Sequence, residues 1–115
     1  MLVPAGQATK IIMQSAAVAT GNGTAATCTS GGNGSYTTLT MQVVGITTAT
    51  ITWEATIDGT NWVAIQTTNL NTGTAATTTT ADGLFRLTSL GLTSVRARIS
   101  AWTAGTITVN GVICA

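Results

Sequence analysis

The sequence is short of charge and contains no histidine. Only 6% of its 115 residues are Asp, Glu, Lys or Arg, and the formal net charge is +1, whereas a typical globular domain carries roughly 25% charged residues. Because histidine is the commonest general base and metal ligand, its absence removes the usual start of a catalytic or metal site. A nucleic-acid-binding surface needs clustered Lys and Arg, which four basic residues do not provide. We therefore expect no metal, no cofactor and no nucleic-acid partner.

The three carboxylates do not form a convincing catalytic pair. Glu54 lies within a predicted strand, while Asp58 and Asp82 each precede a glycine in a predicted turn. Glu54 and Asp58 are close enough in sequence to be considered as a glycosidase-like pair, but the turn already explains Asp58. The hydroxyl groups have no base to activate them, and the glycine clusters lack the dinucleotide-binding and P-loop patterns. We expect no catalytic residues and a protein that is not an enzyme.

Long apolar runs and targeting signals are also missing. No stretch of about 20 apolar residues could span a membrane, and the first residues, MLVPAGQATK, lack the basic and apolar regions of a signal peptide. We therefore expect no membrane partner and synthesis in a cytoplasm. In that reducing compartment Cys28 and Cys114 are expected to stay free thiols, although a bridge between them would close a long, stabilising loop.

The residues that are abundant favour β-structure. Threonine supplies 27 of the 115 residues, glycine supplies 13, and 44% of the chain is hydrophobic. Threonine is β-branched and suits a half-exposed pleated surface, so the composition predicts an all-β protein that presents hydroxyl groups to water. A surface with so few charges is poorly protected against association. We therefore expect part of it to be buried in an assembly.

The strongest local pattern is a predicted hairpin. Apolar and polar residues alternate from Thr50 to Ile57, which is typical of a half-buried strand. Asp58-Gly59 follows directly and predicts a type I′ turn, and Thr60–Ile65, which carries Trp62, is the expected return strand. The residues predicted to face inward are Ile51, Trp53, Ala55 and Ile57.

Further segments alternate in the same way, with turn signals about every ten residues. Gly45 and Ala104-Gly105 are predicted to separate neighbouring strands. The pattern predicts seven to nine short strands in one antiparallel β-sandwich over residues 9–115, with jelly-roll or immunoglobulin-like topology. The additional predicted strands are Thr9–Gln14, Ala16–Thr20, Tyr36–Val44, Leu84–Thr88, Ser94–Trp102 and Thr106–Ile113. Alternation along four of these strands predicts a shared inward face formed by Leu39, Met41, Val43, Phe85, Leu87, Val95, Ala97, Ile99, Ala101, Ile107 and Val109.

The first eight residues are set apart from this domain. Residues 1–8 contain Pro4 and Gly6 and show no periodicity, which predicts an extended N-terminal arm. Such an arm orders most simply by adding a strand to a neighbouring sheet edge.

A small group of cationic and aromatic residues is the candidate for partner binding. Arg96, Arg98 and Trp102 alternate along one predicted strand and are expected to face outward, with Arg86 outward on another. Ion pairs with Glu54 account for part of this pattern. Since Arg and Trp are also enriched at protein interfaces, we predict that these four residues contact a protein partner.

The tryptophans differ in their expected roles. Trp53 is predicted to lie in the core because it alternates with inward-facing aliphatic residues. Trp62 is predicted either to lie in the core or to line a shallow surface on which a sugar ring stacks.

Three motifs in order give the chain a family resemblance. TITWEATIDGTNWVAI, GLFRLTSLGLTSVRARISAW and GTITVNG together resemble segments of small β-sandwich virion proteins of tailed bacteriophages. The resemblance covers about residues 48–110. It implies a non-enzymatic capsid decoration (cement) protein that binds the major capsid protein on the outer capsid surface, with a homotrimer as the expected oligomer. The alternatives are a carbohydrate-binding module of a phage tail or baseplate, using Trp62, and a secreted adhesin domain.

Overall fold

The computed structural model describes residues 8–30 and 34–115, and within these ranges the chain is all-β, as predicted. The described residues include no helix long and apolar enough to cross a membrane. The strands are β1 (Ala8–Ala17), β2 (Ala26–Thr27), β3 (Thr29–Ser30), β4 (Gly34–Ser35), β5 (Thr38–Thr56), β6 (Val63–Ala64), β7 (Thr67–Asn69), β8 (Ala75–Ala76), β9 (Thr78–Thr79), β10 (Gly83–Thr88) and β11 (Ser94–Cys114).

Two long strands form the centre of the fold. β5 has 19 residues and β11 has 21, and they pair antiparallel from one end to the other. The breaks predicted at Gly45 and at Ala104-Gly105 are wrong, because both lie inside these strands. The pairing register shifts there instead, which is how extra residues bend a strand pair without ending it. Two predicted pairs of short strands are therefore one bent two-stranded ribbon.

Two glycines make this bend possible. Gly45 and Gly105 have φ angles of 90° and 121°, which side-chain-bearing residues rarely adopt. A Cβ on Gly45 would overlap the carbonyl of Thr106, and one on Gly105 would lie 2.5 Å from the carbonyl oxygen of Gly45. The backbones of the two strands thus approach each other too closely for any side chain. We call this bend the corner end of the molecule. The opposite end, where both termini of β5 lie, is called the open end.

The bent ribbon creates the two layers of the sandwich. In the first layer, residues 38–44 and 107–114 of the ribbon are flanked by β1 on one side and by β10, β7 and β8 on the other. In the second, residues 49–56 and 94–102 are flanked by β2, β6 and β9. Nine strands therefore belong to one sheet that folds over itself, and β3 and β4 form a separate two-stranded sheet.

Side chains from both layers meet in a single core. The rings of Trp53 in the second layer and Phe85 in the first lie 5.2 Å apart between centroids. The Gln14 side chain on β1 donates a hydrogen bond of 2.8 Å to the carbonyl of Ala97 across the core. The predicted inward residues that are buried are Leu39, Met41, Val43, Ile51, Trp53, Ala55, Phe85, Leu87, Val95, Ala97, Ile99, Ile107 and Val109.

The predicted hairpin at Asp58-Gly59 is wrong in detail. Only Gly59 has a positive φ, so the turn is not type I′, and the return strand is reduced to Val63–Ala64. Ile57, predicted to face inward, is 73% exposed. The Asp58 carboxylate explains the change, because it accepts hydrogen bonds from the backbone N–H groups of Thr60 and Asn61 and stabilises a wider loop.

The N-terminal part of the chain also differs from the prediction. β1 begins at Ala8, the last residue of the predicted arm, and the rest of that prediction, residues 1–7, lies outside the described residues. β1 continues to Ala17, whereas residues 18–20 of the second predicted strand are not in a strand. Ala16 has a φ of 48°, and the pairing register of β1 shifts on both sides of Gln14.

Both cysteines are free thiols in the structure. Cys28 is fully buried in the core, and its thiol contacts the carbonyl of Ala26 at 3.6 Å. Loss of hydration in this site raises the pKa of Cys28 to about 11, since burial disfavours the thiolate. Cys114 is partly exposed at the end of β11.

Candidate functional site

Two of the predicted partner-binding residues form an ion-pair cluster on the outer face of the second layer. Arg96 and Arg98 on β11 both approach the buried carboxylate of Glu54 on β5, at 2.8 Å and 3.3 Å. The strand register produces this arrangement, because Arg96 lies opposite Glu54 and outward residues alternate along β11. The predicted ion pairs with Glu54 are confirmed.

Trp62 covers this cluster. Its ring lies over the Arg96 guanidinium, with the central carbon 4.2 Å from the ring centroid, which is the geometry of a cation–π contact. Trp62 is half-buried and lies outside the core cluster, so the first of its two predicted roles, a place in the core, is wrong. Arg96 is thus held between Glu54 and Trp62, while the side chain of Arg98 is 40% exposed. Of the two arginines, Arg98 has more surface left for a partner.

Arg86 and Trp102 do not join this cluster. Arg86 lies on β10 in the first layer, where its Nε donates a hydrogen bond of 3.0 Å to the Thr40 hydroxyl. The pairing register shifts after Ile99, so Trp102 pairs with buried Ala49 and packs against the core. The predicted outward orientation of Trp102 is therefore wrong, and so is the predicted inward orientation of Ala101, which is exposed. The contribution of these residues to partner binding stays a prediction.

The two aspartates stabilise the backbone at opposite ends of the molecule, Asp58 in its own turn and Asp82 at the bend of β5. Hydrogen bonds from Asn61 and Thr60 hold the pKa of the exposed Asp58 carboxylate well below its usual range, because they favour the charged form. Asp82 accepts hydrogen bonds of 3.1 and 2.9 Å from the N–H groups of Gly45 and Ile46. All three carboxylates therefore have structural partners. Within residues 8–30 and 34–115, no three acidic or thiol side chains come together in a way that could hold a metal ion.

The open end carries an apolar groove that the sequence pattern did not predict. The groove has a volume of about 510 Å³. Ile57 and Val63 are 73% and 68% exposed beside it. Strand alternation alone could not find this site, because β6 and the loop before β11 come together only in the folded chain. Its lining residues are Ala55, Thr56, Ile57, Asp58, Asn61, Val63, Ala64, Ile65 and Leu92.

The corner end carries a smaller and more polar site, the threonine pocket. It has a volume of about 250 Å³, and no charged side chain lines it. Trp102 forms part of its wall, and the indole Nε1 donates a hydrogen bond of 3.0 Å to the carbonyl of Gly105. The remaining lining residues are Thr47, Thr48, Ala49, Thr50, Thr80, Ala101 and Thr103.

Two solved structures share this fold. The chain is similar to the PBSX exported protein XepA, with a TM-score of 0.86 and 15% identity over 95% of this chain and 38% of XepA. It is also similar to the SPBc2 prophage-derived protein YomS, with a TM-score of 0.83 and 19% identity over 100% of this chain and 99% of YomS. No protein-family model matches the sequence, and neither does any curated protein. The structural similarity establishes the fold, which forms about two fifths of XepA and nearly all of YomS.

Proposed function

We propose that this chain is a non-enzymatic structural protein of a phage virion, and specifically a capsid decoration (cement) protein. In this proposal it is made in the host cytoplasm, assembles as a homotrimer, and binds the major capsid protein on the outer capsid surface, which it stabilises. The observation that carries the proposal is the exposed apolar groove at the open end.

The groove has the character of a protein-binding surface. Large exposed apolar patches with polar rims mark interaction sites, and this groove joins exposed Ile57 and Val63 to a rim formed by Asp58 and Asn61. Burying one aliphatic side chain stabilises an interface by about 1.5–3 kcal/mol. The groove lining offers few hydrogen-bonding groups and no nucleophile activated by a base, so it suits apolar docking rather than catalysis.

The carboxylates support the non-enzymatic part of the proposal. Glu54 is paired with two arginines. Asp58 accepts hydrogen bonds from backbone N–H groups of its own turn, and Asp82 accepts them from Gly45 and Ile46 within β5. A general acid or base must be free to exchange a proton with a substrate. Each of these carboxylates is instead already engaged by a neighbouring donor or cation of the fold.

The shared fold supports the phage part of the proposal. YomS is a prophage-derived protein, and nearly its whole length has the fold of this chain. XepA contains the same fold as part of a longer protein. The fold thus occurs in phage-derived proteins both as a unit of a larger chain and almost alone, which suits a small module that adds to an existing particle.

The test is binding to undecorated capsids. Wild-type protein is expected to co-sediment with capsids, whereas Val63→Asp is expected to lose most of this binding because it places a charge in the apolar groove. Val112→Asp is the matched control, since Val112 is also exposed, at 42%, but lies on the outer face of the first layer. Analytical ultracentrifugation of the same proteins tests the homotrimer.

Two results would contradict the proposal. Wild-type protein that stays in the supernatant over the full range of capsid concentrations would exclude capsid binding. If Val63→Asp binds like wild type while Arg98→Ala does not, the ion-pair cluster, rather than the groove, carries the contact. Circular dichroism of each variant verifies that the fold is intact before binding is compared.

The carbohydrate-binding alternative at Trp62 gains no support from the geometry. A sugar ring stacks on an open aromatic face, and the Arg96 guanidinium already covers one face of Trp62. The groove is therefore the basis for the proposed function.

A further inference from the structure

We propose that the threonine pocket at the corner end binds an uncharged sugar ring of a glycan. This inference does not rest on the proposed capsid function, since the pocket and the apolar groove lie at opposite ends of the molecule and either assignment can fail alone. It rests on three properties of the pocket: a fixed aromatic ring, unpaired hydroxyl groups and the lack of charge in its lining.

The first property is the fixed position of Trp102. Its Nε1 donates to the carbonyl of Gly105, and Gly105 belongs to the corner, where the two strands are in close backbone contact. The indole therefore cannot rotate without breaking this hydrogen bond. Because the N–H group is already paired, the ring offers the pocket only its carbon surface. The C–H groups on one face of a sugar pack well against such a surface, since the face of an aromatic ring carries partial negative charge.

The second property is the supply of free hydroxyl groups. Five threonines line the pocket, and none of their hydroxyls makes a hydrogen bond within the described part of the chain. A hydroxyl can both donate and accept, as can the hydroxyls of a sugar. Threonine is also stiff at χ1, so ordering these side chains around a ligand costs little entropy. The lining threonines are Thr47, Thr48, Thr50, Thr80 and Thr103.

The third property is the lack of charge combined with small size. The lining contains no Lys, Arg, Asp or Glu, so nothing in the pocket compensates the charge of a phosphate or a carboxylate. Its volume of about 250 Å³ is below the roughly 300 Å³ at which pockets for drug-sized ligands begin. The site therefore suits one neutral ring, such as a terminal or branching hexose, rather than a long buried chain.

The sequence prediction assigned possible sugar stacking to the other partly exposed tryptophan. Trp62 lies over Arg96 outside any hydroxyl-rich pocket, whereas Trp102 lies among threonines. The two side chains therefore form a matched pair for an experiment, because both are half-buried tryptophans in the same domain.

The experiment is a titration of the full, isotope-labelled chain with glucose, galactose, mannose and N-acetylglucosamine, followed by NMR chemical shifts. A glycan array tests larger ligands. We expect at least one neutral sugar to shift resonances of Trp102 and the lining threonines. Thr103→Val, which removes a hydroxyl and keeps the side-chain shape, is expected to weaken binding about 2–10-fold, the effect of one hydrogen bond. Trp102→Phe is expected to weaken it further, and Trp62→Ala is expected to change it less than twofold.

Each of three outcomes would overturn the assignment. The first is no binding of any neutral sugar or glycan. The second is binding that Thr103→Val and Trp102→Phe leave unchanged. The third is binding that only Trp62→Ala abolishes, which would place the sugar over the ion-pair cluster. Thr103→Val is expected to keep the fold, since Thr103 is exposed and its replacement leaves the core untouched. A loss of binding in this variant therefore reports on the pocket and not on unfolding.

Discussion

The corner end and the open end of the sandwich are built in opposite ways. At the corner, Gly45 and Gly105 bring two backbones into contact, and Asp82 holds the neighbouring N–H groups. At the open end, loops connect the strands, and Gly59 has open space around it although its φ is 80°. The corner is thus determined by the backbone and tolerates no added side chain. The open end is less constrained, and its groove exposes the large apolar side chains of Ile57 and Val63.

The two ends therefore differ in how far they specify the fold and in how freely their residues can vary. A change at the corner disturbs both layers, because the ribbon that bends there contributes strands to each. A change in the loops of the open end alters a local surface. We expect stability to depend on the corner and on the core behind it, and recognition of a protein partner to depend on the open end.

The largest expected effect is in the core that joins the two ends. Trp53→Ala is expected to lower the free energy of unfolding by about 3–5 kcal/mol, as for other buried aromatic residues, because Trp53 is fully buried against Phe85. Trp62→Ala is the control and is expected to lower it by less than about 1 kcal/mol. Denaturant titration measures both. A loss below about 1 kcal/mol for Trp53→Ala would mean that the core does not depend on this side chain.

The comparison itself is tested by one substitution made at each end. Gly45→Ala is expected to lower the free energy of unfolding by about 3 kcal/mol, since a positive φ and a backbone overlap act together. Gly59→Ala has the positive φ but no overlap, so the expected loss is about 1 kcal/mol. Thermal or denaturant unfolding measures both variants. If the two lose the same free energy of unfolding, the two ends are equally constrained, which would contradict our interpretation.

A smaller effect is expected in the pH dependence of the open end. Hydrogen bonds from Asn61 and Thr60 lower the pKa of Asp58 below its ordinary value of 3.8, so the folded state binds this proton less readily than the unfolded state. The resulting stabilisation is present above about pH 4 and is lost as the pH falls below it. Asp58→Asn is expected to make the acid limb of the stability profile shallower. An unchanged acid limb in pH-dependent denaturation would contradict the role of this carboxylate.

The smallest expected effect concerns the cysteines and leaves the fold intact near neutral pH. Iodoacetamide is expected to modify Cys114 in native protein and Cys28 only after unfolding, because Cys28 is buried with a pKa of about 11. This raised pKa stabilises the fold fully below pH 9.0, and the stabilisation is lost as the pH rises toward 11. Mass spectrometry measures the modification. A Cys28–Cys114 bridge in freshly purified protein would contradict the prediction of free thiols.

Alternation predicted the core well and failed where the backbone departs from regular pairing. Ile51, Trp53 and Val95 were predicted inward and are buried, since period 2 is fixed by strand geometry. The predicted orientation of Trp102 is wrong because β11 has one extra residue after Ile99. This residue moves every following side chain to the opposite face of the strand. A bulge of this kind depends on the partner strand, and nothing in the local pattern marks it.

Glycine signals were ambiguous for a similar reason. The pair Ala104-Gly105 predicts a turn, yet it lies inside β11. Glycine is favoured at both kinds of site, because a bulge and a turn can each require the positive φ that Gly105 has. The apolar groove and the threonine pocket were not predicted at all. The threonine pocket is assembled from three segments distant in the chain. The groove is lined mostly by residues 55–65, whose loop conformation differs from the predicted hairpin, and Leu92 completes it from the loop before β11.

The position of β11 in the chain has a consequence for how the protein folds. β11 pairs with β1, β2 and β5, and all three precede it in the chain, so they leave the ribosome before it does. Until β11 is synthesised, β1 and β5 lack the strand that lies between them, and their apolar side chains stay exposed. Such exposure favours aggregation. Pairing between such distant segments also makes folding slow. We therefore expect the sheet to close after synthesis of β11, in one late and cooperative step.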